Sequence, residues 1–236
     1  MDNYKLDYYF SNIESFAFKE VFKNSTYPWE ALKNLKEFFK NMVESNLKEN
    51  QATTGEFVSL TGNYFIGEGT TIGANVSIEG PVIIGKNCTI QSGALIRPYS
   101  LIGDNCVIGH SCEVKHSIIQ NGAKVQSFTF IGDSIIGKST RVGSGTILAN
   151  RRFDQKNITI KTLSNEKFDV GTDFFGAIIG DNTRLGANCT TIPGTFIGKY
   201  TWVLPTIQVR GFVPSEIRLF PVQELKSEPN PVIELK

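Results

Sequence analysis

Imidazole is nearly absent from this chain: among 236 residues only His110 and His116 carry it. Any histidine chemistry must therefore run through one of these two. Excess charge of either sign is missing as well. The 24 basic residues stand against 23 acidic ones, a net charge of +1, which argues against a general electrostatic grip on nucleic acid or on an anionic membrane. No run approaches the roughly 20 apolar residues needed to cross a bilayer. The opening stretch MDNYKLDYYF lacks both the basic start and the apolar core of a secretion signal. The expectation is a soluble, cytoplasmic protein with neither nucleic acid nor membrane among its partners.

What the chain does have is a repeat. Ile66, Ile72, Ile78, Ile84, Ile90, Ile96, Ile102, Ile108 and Val114 recur every six residues. Neither a helix nor a simple strand has that period. A unit this short cannot bury its apolar side chain alone and must stack on its neighbours, so the fold class is an all-β solenoid. Three hexads make a turn of three flat faces, and residues eighteen apart lie one above the other at a rung spacing of roughly 4.8 Å. After Val114 the repeat drops one residue, giving Ile119, Val125 and Ile131. It drops another before Ile136, Val142 and Leu148. Cys88, Cys106, Cys112 and Cys189 each stand four residues after a repeat position, in a phase otherwise filled by Thr70, Val76, Val82, Ala94 and Ser100. They read as small packing residues at the turns and not as metal ligands or disulfide partners.

The remainder divides around this coil. Residues 1–50 are expected to form a helical cap. Ser11 and Glu14 have capping-box spacing, and Pro28 suits the first turn of a helix whose Trp29, Leu32, Leu35, Phe39 and Met42 recur at helical steps. This cap is expected to cover the open first rung. The coil spans 57–210, interrupted at 151–176 by a polar stretch without hexads that should protrude from one corner as a functional loop. The tail 211–236 holds Pro214, Pro221, Pro229 and Pro231 and is expected to run extended along the surface.

Exceptions to the repeat point to a site. The residue after each repeat position is usually Gly, but it is Glu79, Arg97 and Lys115 at three places one turn apart. Arg97 and Lys115 thus stand on adjacent rungs of one face, where two cations repel unless an anion lies between them. A phosphate fits, since Arg forks onto two oxygens and Lys adds a point charge. The other arrangement is a ladder in which Glu79 neutralises Arg97. A second column holds Ala74, Ser92 and His110, with Ser127 one rung above His110.

The segments IRPYS, EVKHSIIQNGAKV, FTFIGDS, GSGTILANRRFDQK and GAIIGDNTRLGANCTTIPGTFIGKYTWVLP resemble the left-handed β-helix acyltransferases. In particular they are similar to the C-terminal acetyltransferase domain of the bifunctional glucosamine-1-phosphate acetyltransferase and N-acetylglucosamine-1-phosphate uridylyltransferase, in its archaeal-type relatives. The resemblance implies a left-handed parallel β-helix, a homotrimer with sites between subunits, acetyl-CoA as cosubstrate along the later coils, and a sugar phosphate or nucleotide sugar as acceptor. It places sugar-phosphate contacts on Arg97, Lys115 and Lys156, the acceptor-site asparagine on Asn150, and the lining of the coenzyme's pantetheine on Ala187 and the segment around Pro205. No metal is implied.

Two positions depart from that pattern. Ser127 stands where the family has its general-base histidine, and Phe130 where it has a tyrosine. A positioned base is worth about 10² to 10⁴ in rate, and a serine without its own activating base does not supply it. His110, one rung below, is the substitute the stacking offers. The family's Gly-rich nucleotide loop has no counterpart before the hexads. Two functions follow: acyl transfer to a sugar phosphate or nucleotide sugar, or a trimeric scaffold that holds a sugar phosphate without turnover beside a separate nucleotidyltransferase.

Overall fold

The computed structural model describes residues 2–162 and 165–222. Among them the chain winds as a left-handed parallel β-helix with three flat faces. The first and second faces carry nine strands each and the third carries eight. The first face runs from Lys48–Asn50 to Phe212–Val213, the second from Thr53–Thr54 to Arg218–Leu219, and the third from Ser59–Thr61 to Gln208–Val209. Rungs therefore begin before the first hexad, and the Gly211 to Leu219 part of the supposed tail forms a last partial rung. Pro229 and Pro231 lie outside the described residues.

Stacking follows the hexads through both dropped residues. Ile102 pairs with Ile119, Ile119 with Ile136, and Ile136 directly with Ile179 across the insertion. The repeat residues line one apolar interior, and each buried Ile contributes about 1.5–3 kcal/mol. The turns are made by residues in the left-handed region. Asn87, Asn105 and Asn182 serve the first-to-second corner and Tyr99, His116 and Asp133 the third-to-first corner, all with φ between 45° and 62°. Asn and Asp tolerate this region better than most side chains.

The four cysteines are free and buried, and the structure gives their slot a rule. The Cys88, Cys106, Cys112 and Cys189 thiols lie 2.9–3.3 Å from carbonyl oxygens of the following rung. Thr70, Thr140 and Thr183 donate hydroxyls in the same way at 2.7–2.8 Å. The slot takes a small side chain; where that side chain has a donor it reaches a carbonyl of the next rung, and Val76, Val82 and Ala94 fill the slot without one. Burial also raises the Cys112 and Cys189 thiols above their ordinary value, which makes them poor nucleophiles.

The N-terminal segment does not close the first rung as expected; it runs as a strap along the side of the coil. Tyr4, Phe10, Phe22, Trp29, Leu35 and Phe39 pack against Ile83, Leu101, Ile118, Ile135, Ile178 and Phe196, the outward residues of the first face, and form a second apolar core. A sheet face this apolar must be covered, and the strap is what covers it. Polar ties fix its course: Lys199 Nζ donates to Asp7 O at 3.0 Å, Ser11 N to Asp181 Oδ2 at 2.8 Å, and Asn121 Nδ2 to Ser15 O at 3.3 Å. The helix Pro28–Phe38 begins where predicted, with Glu30 accepting from the backbone of Thr26 and Tyr27. Ser11 and Glu14 start no α-helix; short 3-10 turns at Ile13–Ser15 and Lys19–Phe22 stand there, because the Ser11 backbone is drawn to Asp181. The insertion is not a free loop either. It forms an antiparallel pair, Thr159–Lys161 with Lys167–Asp169, and sends Ile158, Ile160, Val170 and Phe175 into the second core.

Candidate functional site

The second-to-third corner carries one continuous column. The registers Ile90↔Ile108, Ile108↔Val125, Val125↔Val142, Val142↔Leu185 and Leu185↔Val203 stack Ser92, His110, Ser127, Ser144, Ala187 and Pro205 in that order. The residues expected to handle the proton and those expected to line the coenzyme thus share one edge of the coil. His110 is held in a definite tautomer. Its Nδ1 lies 2.6 Å from the Ser92 carbonyl oxygen, a contact that requires the proton on Nδ1, so that in the neutral ring Nε2 is the acceptor. Ser111 Oγ lies 3.2 Å from that Nε2, and the Phe128 ring stands edge-on to the imidazole at 5.3 Å. Among the described residues the imidazole bonds to Ser92 and Ser111 and not to Ser127.

Across the third face a different cluster forms. Arg97 Nη1 pairs with Glu113 Oε1 at 2.8 Å, and Lys115 Nζ with Asp133 Oδ2 at 3.4 Å. The two cations stacked by the sequence are each balanced from within the chain. Glu79, directly below Arg97 in register, is not the partner; Glu113, diagonal to it on the next rung, is. An incoming phosphate must therefore displace carboxylates or share their cations. Asn150 Nδ2 also donates to Asp133 Oδ2, at 2.6 Å. His116 Nδ1 lies 2.9 Å from Asp133 Oδ1, yet its N–H is not aimed along that line, so this buried nitrogen makes an electrostatic contact without a formed hydrogen bond. Phe174 of the insertion lies over Lys115 Nζ at 4.3 Å and beside the Arg151 guanidinium at 4.8 Å, closing the cluster.

Burial alone would raise the Asp133 carboxyl. The contacts with His116, Asn150 and Lys115 outweigh it and hold the group below its ordinary value. Because the folded value is the lower one, the contribution to stability is complete above about pH 4 and fades as pH falls through the folded value. Asp133→Asn is expected to cost about 1.5–3 kcal/mol at pH 7, the range for hydrogen bonds to charged groups. In urea unfolding, the gap between wild type and variant should narrow at pH 3; a gap unchanged with pH would rule this account out.

Lys156 lies apart from this cluster. It is exposed on the insertion, where its backbone N–H donates to Asp154 Oδ1 at 3.4 Å. Hydrogen bonding from Arg152 holds the Asp154 carboxyl at about 2, so it is a poor base. Sequence reasoning missed Glu113, Asp133, His116 and Phe174. The left-handed column of Tyr99, His116 and Asp133 was the available signal for two of them.

A six-residue repeat wound into three parallel faces defines the hexapeptide-repeat class, and the comparisons agree. Residues 176–199 match the hexapeptide repeat of succinyl-transferase, and 78–165 match the GMPPB C-terminal domain. The Bifunctional protein GlmU of Methanococcus maripaludis strain C7 is 47% identical over 175 residues, 73% of this chain and 41% of that protein. That of Methanococcus vannielii is 37% identical over 175 residues, 73% of this chain and 40% of its own. The Bifunctional sugar-1-phosphate nucleotidylyltransferase/acetyltransferase of Sulfurisphaera tokodaii is 35% identical over 98 residues, 42% of this chain and 24% of its own. The chain is thus a left-handed β-helix protein of the hexapeptide-repeat acyltransferase family, similar to GlmU-type proteins over the coil. It spans less than half the length of these relatives. Among solved structures, a hexapeptide transferase family protein from Anaplasma phagocytophilum superposes on 42% of this chain and 66% of its own at 18% identity, with a TM-score of 0.36, too loose a likeness to bear on function.

Proposed function

We propose that the chain transfers an acyl group, acetyl in the first instance, from coenzyme A to an amino or hydroxyl group of a sugar phosphate or nucleotide-linked sugar. The observation that carries this is the His110 tautomer, with Nε2 left as acceptor in the same column as Ala187 and Pro205. In the reaction the acceptor N–H or O–H gives its proton to His110 Nε2 as the acceptor atom attacks the thioester carbonyl. The C–S bond then breaks, and the imidazolium returns the proton to the departing thiolate. Asn150 and Ser127 flank the acceptor. Arg97 and Lys115 meet its phosphate by exchanging Glu113 and Asp133 for phosphate oxygens, and Lys156 reaches it from a neighbouring copy. With the first face strapped over, a homotrimer assembles through the second and third faces.

The resemblance itself supports the scaffold reading instead, since it sets Ser127 and Phe130 at the places of the family's histidine and tyrosine. Calorimetric titration with acetyl-CoA and with glucosamine-1-phosphate separates the two, followed by assay of free thiol with both present and with amino sugars linked to nucleotides. Acyl transfer predicts coenzyme binding and thiol release that depends on the acceptor. Sugar-phosphate binding without coenzyme binding would leave a scaffold, the partner of a separate nucleotidyltransferase.

A further inference from the structure

The two carboxylates that balance Arg97 and Lys115 differ in a way that decides how an anion can enter. The Glu113 side chain is 34% exposed, so when a phosphate takes Arg97 this carboxylate swings out into solvent. The Asp133 side chain is 6% exposed and has no such exit. Its Oδ2 keeps the Asn150 amide at 2.6 Å, but an amide carries no charge. A buried carboxylate stripped of its cation is strongly unfavourable, and a phosphate dianion close by adds repulsion. Binding of an anion at Lys115 therefore needs a second cation at Asp133.

Among the described residues His116 is placed to become that cation. Its Nδ1 lies 2.9 Å from Asp133 Oδ1, the oxygen that Lys115 does not touch, and this nitrogen is buried without a formed hydrogen bond. The ring has room to turn, because a cavity of about 70 Å³ lies beside it, lined by Trp29, Leu32 and Lys33 of the strap and by Thr172 and Phe174 of the insertion. The titratable and charged groups around the imidazole are Asp133 above it, Tyr99 below it with ring centroids 6.1 Å apart, Lys115 next to it in the chain, Lys33 across the cavity, and Arg151 paired with Asp173 on the insertion. While Lys115 holds Asp133, these cations oppose a further positive charge on the ring. Once Lys115 turns to a phosphate, carboxylate and phosphate both favour one. Histidine is the side chain that makes such a change between pH 5 and 8. We propose that His116 is a positioning residue for the acceptor: it takes a proton from solvent as the phosphate binds Lys115, and the imidazolium, donating from Nδ1 to Oδ1, holds Asp133 in place of the lysine. This rests on the reading that the phosphate binds Arg97 and Lys115, and not on the transfer step.

Inorganic sulfate is the probe, because it has no proton of its own to exchange near neutral pH. Calorimetry of the intact protein at about pH 7, in two buffers of unlike ionisation heat and at fixed ionic strength, should show proton uptake when sulfate binds. Sulfate affinity should fall by up to about tenfold per pH unit as pH rises through the histidine range, the limit for one linked proton. His116→Asn suits the left-handed backbone at φ 45° and cannot take the charge. It should abolish the uptake and flatten the profile to less than about twofold per pH unit. Since the chain has only two histidines, the imidazole proton resonance that this variant removes can be followed in the wild type, where sulfate at about pH 7.5 should move it toward its protonated position. A resonance that stays in place, proton uptake unchanged in His116→Asn, or the absence of saturable sulfate binding overturns the proposal. Thiol release from acetyl-CoA and glucosamine-1-phosphate without sulfate-linked proton uptake would sink this role for His116 and spare acyl transfer. Sulfate-linked uptake without thiol release would do the reverse.

Discussion

Replacing His110 with alanine should lower acceptor-dependent thiol release about 10²- to 10⁴-fold, the usual worth of a positioned base, with coenzyme affinity unchanged. An amine attacking a thioester must shed a proton, and the acceptor for it must be unprotonated and fixed. The Ser92 carbonyl, 2.6 Å from Nδ1, fixes both tautomer and ring orientation, while the edge-on contact with Phe128 limits rotation. Ser127→Ala should have a far smaller effect, because among the described residues no base is bonded to its hydroxyl. Equal rates for His110→Ala and wild type, in a preparation that releases thiol, would remove His110 from the mechanism.

Trp29→Ala should destabilise the protein by about 3–5 kcal/mol, the range for truncating a buried large aromatic, out of a total of roughly 5–15 kcal/mol. Trp29 stacks on Tyr27 at 4.7 Å and meets Phe196 and Phe175 edge-on at 5.7 and 6.5 Å, so it ties the strap to the first face and to the insertion at once. Urea unfolding checks this. If the strap detaches before the coil, the transition broadens or splits and its slope falls, because the slope follows the surface exposed in each step. A variant within 1 kcal/mol of wild type would mean that the second core adds little.

Much of this architecture was legible from spacing alone. The hexads give the interior, the two dropped residues give shortened turns without breaking the stack, and the phase of the cysteines gives their slot. The course of the strap was harder, because a helical stripe such as Trp29, Leu32, Leu35 and Phe39 shows which side is buried without showing against what. The other half of the signal lay in the coil. The doublets Ile83–Ile84, Ile118–Ile119, Ile135–Ile136 and Ile178–Ile179 place one residue inside and one outside on the same face, as a sheet covered on both sides requires. At the site, columns such as His110 and Ser127 follow from period. Glu113 escaped that reading because it reaches Arg97 diagonally, and Asp133 because the shortened turn sets it one place beside Lys115, opposite Asn150. The insertion has no period, so no register could place Lys156 or Phe174.

The strap also governs the order in which the molecule can be completed. Asp7 is bonded to Lys199 and Tyr8 to Ser215, pairs separated by 192 and 207 positions. Contacts of such long sequence separation slow folding, since the loop-closure entropy must be met before they form. The aromatic segment leaves the ribosome before the coil and finds its final partners only when the rungs that carry Lys199 and Ser215 exist. Until then the isoleucines of the first face are an open apolar surface, and the protein is at its most prone to aggregate during synthesis rather than after it.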